Sequence, residues 1–119
     1  MENINNKFAT GVDEIIKNEE KETLLTVEEI NNLDEITLRD TIGLMTSDNY
    51  KERFLAEFIQ LKFRYNNLRK MLIKHEAGTL NFEPTCDISI LDDQLYHMEG
   101  YLRAMEVRAE VEKIELPRI

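Results

Sequence analysis

Two stretches of the chain carry the same apolar rhythm, and that repeat limits the possible folds more than any other feature of the sequence. Phe54, Phe58, Leu61, Tyr65, Leu68 and Leu72 are spaced 4, 3, 4, 3, 4, as are Leu91, Leu95, Met98, Leu102, Met105 and Ala109. Such spacing places each set on one side of an α-helix. No Pro or Gly interrupts the first stretch from Tyr50 to Ala77, and Gly78 follows as a natural stop. Thr79–Asp87 contains Pro84 and reads as an ordered loop. A connection this short returns the second helix antiparallel to the first. The expected fold is all-α: an antiparallel two-helix hairpin over about 48–76 and 88–115. Ser47 or Asp48 is expected to cap the first helix, and Asp87 or Ser89 the second. In that register Phe54 meets Ala109, Phe58 meets Met105, and Leu72 meets Leu91.

The segment before the hairpin has a different character. Residues 1–47 hold four basic residues against eleven acidic ones. Thr10-Gly-Val-Asp13, Thr26-Val-Glu-Glu29 and Thr37-Leu-Arg-Asp40 each place a hydroxyl three residues before a carboxylate. That is the spacing of a capping box, so each predicts a helix start. The apolar residues behind them are too few for an independent core, so these short helices must pack on the hairpin. The chain thus divides into an acidic N-terminal extension of short helices, 1–46, and a helical hairpin core, 47–119. Leu55, Ile59 and Ile73 lie beside the first seam and Phe63 points away from it. Either the N-terminal helices or a second subunit must cover them. A homo-oligomer is therefore expected.

Composition excludes several classes. The net charge is −9, from 15 basic and 24 acidic residues, which disfavours direct binding to long DNA. One cysteine, Cys86, rules out an internal disulfide and a cysteine zinc site, and suits a reducing compartment. No apolar run is long enough to span a membrane, and the polar, acidic start is unlike a secretory signal. Catalytic signatures are absent: there is no Gly-rich phosphate loop, no HExxH and no GxSxG. His75 and His97 belong to different helices, and Asp92-Asp93 falls where a helix start favours acids. Cys86 reads as a packed loop thiol with no base beside it in sequence. The expectation is a protein that is not an enzyme and needs no metal or cofactor.

The charge is unevenly distributed. From Tyr50 to His75 seven basic residues stand against two acidic ones, whereas from Asp87 to Glu115 three stand against eight. One explanation is compensation across the hairpin flanks. The other is a site for an anion, since guanidinium groups fork onto phosphates and aromatic rings stack on bases. The candidate ligand-binding residues are Arg53, Arg64 and Arg69 on the first helix, with Tyr101 and Arg108 on the second. Arg53 and Arg64 share a flank; Lys51, Lys62 and Arg69 share the other.

Three stretches carry a family resemblance. They are Tyr50-Lys-Glu-Arg53 with Leu61, Arg64, Tyr65 and Leu68; Glu76 to Cys86; and Gln94-Leu-Tyr-His-Met-Glu-Gly-Tyr101 with Arg108 to Leu116. Together they resemble a family of small helical phage and prophage proteins related to a crAssphage gene product, over about residues 44–116. Residues 1–43 match nothing. The architecture also resembles the helical hairpins of phage sponge proteins, which oligomerise and sequester nucleotide signals of bacterial anti-phage immunity. That likeness implies a non-enzymatic binder of a small anionic nucleotide, held at subunit interfaces. A second reading is a protein–protein inhibitor of a host defence protein, with the acidic N-terminal residues mimicking nucleic acid. A third is a virion assembly protein or adaptor whose seams are shared between subunits.

Overall fold

The computed structural model describes residues 24–119, which contain helices and no strands. The order is α1 (Val27–Asn31), a 3₁₀ turn (Leu38–Thr41), α2 (Ile42–Met45), α3 (Tyr50–Ala77) and α4 (Ile88–Glu112). The two long helices pack along each other as the hairpin, and the short elements lie against α3. The start predicted at Thr10 falls outside the described residues.

The local chemistry explains the boundaries. Thr26 and Glu29 form a full capping box: each backbone N–H donates to the other's side-chain oxygen at 3.1 Å. At Thr37 the carboxylate of Asp40 accepts from the Thr37 N–H (2.9 Å) and hydroxyl (3.1 Å), but the turn it opens is 3₁₀. α3 is capped by neither Ser47 nor Asp48. Asn49 is the cap, its side chain accepting from the Lys51 N–H at 2.9 Å. Ser47 supports that cap from outside, accepting from the Asn49 N–H and donating to Glu52. Gly78 closes α3 with φ 77°, and Thr79 N–H donates to the Lys74 carbonyl at 2.8 Å. Asp87 caps α4 through the Ser89 N–H at 2.9 Å.

α4 ends three residues sooner than its expected limit of 115. Lys113 adopts a left-handed conformation, φ 57°, and Ile114 N–H donates to the Ala109 carbonyl at 2.8 Å. That turn sends the last residues back across the hairpin. Ile114, Leu116 and Ile119 pack against both hydrophobic clusters.

One cluster is the hairpin seam: Phe54 and Phe58 against Leu102, Met105 and Ala109, with Leu61 and Tyr65 at its edge. The other lies on the far side of α3, where Leu55, Ala56 and Ile59 meet Ile30, Ile36 and Leu44. Buried Thr41 ties the two sides: its hydroxyl donates to the Leu38 carbonyl at 2.7 Å and accepts from Gln60 at 2.9 Å. The N-terminal segment therefore covers Leu55 and Ile59 without help from a second subunit, while Phe63 stays half-buried and Ile73 exposed. Gly43 permits this wrapping. A methyl group there would sit 3.1 Å from the Leu24 Cα and 3.2 Å from the Leu25 nitrogen. Towards the tip the seam loosens: Leu68, Leu91, Leu95 and Met98 are half-buried, and only Leu72 is buried.

Candidate functional site

The five predicted residues fall on two flanks of the hairpin. In an unbroken helix Arg53 and Arg64 are eleven residues apart and lie on one flank, whereas Arg69 lies roughly 160° from Arg53. Arg69 is therefore separated from Arg53 and Arg64. Arg108 joins the Arg53 flank: its guanidinium sits 4.6 Å from the Phe54 ring centroid and within electrostatic reach of Glu57. Tyr101 is one heptad before Arg108 on α4 and is exposed.

Two of these arginines are already engaged. Arg53 donates to the Ser47 carbonyl at 2.7 Å, bracing the entry to α3. Arg108 Nε donates to Glu112 at 2.6 Å, and the Tyr50 hydroxyl donates to the other carboxylate oxygen at 2.9 Å. The hydrogen bond from Arg108, followed by that from Tyr50, holds the Glu112 carboxyl below the usual glutamate range. The bond to Glu112 correspondingly raises the Tyr50 and Arg108 pKa values. This trio clips the end of α4 to the start of α3. On this flank Arg64 and Tyr101 remain exposed, and neither appears in a side-chain hydrogen bond among the described residues.

The opposite flank forms a groove. Lys62 and Tyr65 of α3 and Tyr96, His97, Gly100, Arg103, Glu99 and Glu106 of α4 line an open concavity of about 820 Å³. Its volume lies within the roughly 300–1,000 Å³ range of small-molecule sites. The Lys62 ammonium lies 5.6 Å from the Tyr65 ring centroid, and Tyr96 is 72% exposed. The groove thus offers a cation on an aromatic face, an arginine fork and the exposed Tyr96 ring, which meets the His97 ring edge-on at 5.5 Å between centroids, while Glu99 and Glu106 supply acceptors. Arg69 continues the basic edge, seven residues beyond Lys62 on the same flank.

Sequence spacing groups Lys62 with Arg69 and Tyr96 with Arg103, but does not give the handedness of the hairpin. Without that handedness, which flank of α3 faces which flank of α4 is undetermined. This is why the groove is missing from the predicted set.

Charge compensation by direct contact is limited. Both ion pairs among the described residues lie within α4: Arg108–Glu112 at 2.6 Å and Asp93–His97 at 3.5 Å. No group of metal-ligating side chains occurs among those residues. Asp92 and Asp93 sit one turn inside α4, not in its first turn. Cys86 is half-buried, 3.5 Å from the Asp87 carbonyl oxygen. No helix of the described residues is long and apolar enough to cross a membrane.

A family model described as Sequestin matches residues 48–111, more than half of the chain and nearly all of the hairpin. No curated protein and no solved structure matches the chain.

Proposed function

The chain belongs to the Sequestin family, and from this premise we propose a non-enzymatic phage protein that sequesters a small nucleotide signal of bacterial immunity in the host cytoplasm. The family's name points to sequestration, and the groove between α3 and α4 is the observation that carries the ligand class. Lys62 and Arg103 supply charge for one or two phosphates. Tyr96 supplies a face on which a base stacks, at low entropic cost because it has few rotatable bonds. Glu99 and Glu106 accept from ribose hydroxyls or a base amino group. They also make the groove a poor host for a long polyanion, in keeping with the chain's net charge of −9.

The groove is favoured over the arginine flank because Arg53 and Arg108 are held by Ser47 and Glu112. A ligand there would have to break those contacts first. Isothermal titration against cyclic dinucleotides, cyclic trinucleotides and ADP-ribose products tests the reading. Lys62→Glu should weaken binding about tenfold or more, the loss of a charge-assisted contact, and Arg64→Glu should leave it nearly unchanged. The opposite pattern moves the site to the Arg64–Tyr101 flank. Absence of binding across the panel overturns the proposal.

A further inference from the structure

The side of α3 turned away from the seam changes character along its length. Ala56 and Ile59 are buried beneath the N-terminal segment, and Phe63 is half-covered. Beyond Phe63 the same side turns polar and continues, in steps of three and four residues, through Asn66 or Asn67 to Lys70 and Lys74. Two concavities lie along it. One, of about 250 Å³, lies between this side of α3 and both Leu33–Ile36 and the chain end at Arg118 and Ile119. The other, of about 330 Å³, lies between it and the tip loop at Thr79–Phe82. Asn67 and Lys70 line both, so the two form one trench with these side chains at its waist. Each half alone is near or below the lower limit of small-molecule sites, about 300 Å³. The trench runs from Phe63 to Lys74, eleven residues of helix. That is about 17 Å, the reach of about five residues of extended chain.

We propose that this trench binds a short, extended, acidic peptide segment of another protein, at a site separate from the nucleotide groove. Charge complementarity selects the occupant. No acidic residue lines the tip half, and its Lys70 and Lys74 enter no ion pair among the described residues. Carboxylates of the segment belong there. In the other half Asp34 and Glu35 offset Lys70 and Arg118, and Phe63 and Ile119 offer an apolar surface. An aliphatic side chain suits that end, and a second one suits Phe82, which is 55% exposed at the tip. Asn66, Asn67 and Asn81 are spread along the trench, and their amides make no side-chain hydrogen bond among the described residues. A side-chain amide presents a donor and an acceptor together, the complement of a peptide unit. A mononucleotide would fill one half and leave the amides of the other unused. The net charge of −9 opposes a long acidic partner, so recognition is confined to a short segment.

The test uses the full chain without nucleotide, so its outcome is independent of the nucleotide proposal. The probes are fluorescein-labelled hexapeptides with Leu at both ends and every combination of Asp, Glu, Lys and Ala between, read by fluorescence anisotropy. Acidic members should bind with Kd of about 10–500 μM, more weakly as salt is added, and Lys-rich members should not bind. Lys74→Glu should weaken binding about tenfold or more, and Phe82→Ala by a similar factor. Both residues are exposed, so the thermal midpoint of either variant should stay at the wild-type value. Absence of peptide binding overturns the proposal, whether residues 1–23, a second copy or a nucleotide then fills the trench. So does binding that ignores peptide charge, or that is insensitive to both Lys74→Glu and Phe82→Ala.

Discussion

The two long helices share a seam but differ in everything behind it. α3 is wrapped: its far side buries Leu55, Ala56 and Ile59 under the N-terminal segment and the returning C-terminal residues. Among the described residues α4 is uncovered behind its seam, burying only Leu102, Met105 and Ala109. The sequence prepares this difference, for α3 carries large side chains on nearly all sides of its first half, whereas the back of α4 is Gly, Ala and Val. An apolar helix face must be covered by something when its residues are large, and tolerates water when they are small or scattered. The lesson is that the heptad seam defines the hairpin, while the residues off the seam decide which helix the rest of the chain can cover.

The comparison breaks most decisively if one substitution acts alike on both backs. Ile59→Asp buries a carboxylate where Ile59 is 1% exposed, at a cost of about 4 kcal/mol or more. Leu102→Asp does the same in the seam. Val111→Asp, on the bare side, should change stability by about 0.5 kcal/mol or less in the monomer. Melting followed by circular dichroism at low protein concentration separates the cases. Equal losses at Ile59 and Val111 would mean that α4 is not bare.

A smaller effect sharpens the view of how the seam weakens along its length. Leu61→Asp also interrupts the heptad pattern, but Leu61 is half-buried and lies at the edge of its cluster. The carboxylate can reach water, so the loss should be about 1–2 kcal/mol, less than at Leu102. A wild-type midpoint in Leu61→Asp would remove it from the seam, and a loss matching Leu102→Asp would show that the packing does not slacken there.

The hairpin and its polarity were legible because heptad spacing and a single loop leave few alternatives. Thr26 and Glu29 likewise gave a correct helix start, since a capping box is local chemistry. The cap of α3 was misplaced because Ser47, Asp48 and Asn49 are all competent caps in succession. The Ser47 hydroxyl is spent on the Asn49 N–H and Glu52, and it is the Asn49 side chain that accepts from the Lys51 N–H. The return of residues 114–119 was invisible because it depends on Lys113 adopting positive φ, which no Gly or Asn announced. The candidate site was legible as a basic helix with aromatic neighbours. Its assembly was not, because the pairing of flanks follows from the handedness of packing and not from spacing.

The smallest expected effect tests the polar clip that joins the end of α4 to the start of α3. The Glu112 carboxylate accepts from Arg108 and from Tyr50, and the first of these, then the second, lowers its pKa below the ordinary 4.5. A carboxyl with a depressed folded-state pKa contributes stability that is fully present above its ordinary value. The contribution disappears as pH falls through the lower folded-state value. Glu112→Gln abolishes that titration. The variant should melt slightly below wild type at neutral pH, and the two should converge in acid below the ordinary glutamate range. Because the trio lies at the surface, water and salt screen it, and the difference at neutral pH should shrink with added salt. A thermal-midpoint difference that stays constant from neutral pH into strong acid would show that Glu112 acts by packing alone. The clip would then add nothing electrostatic to the seam that joins α3 to α4.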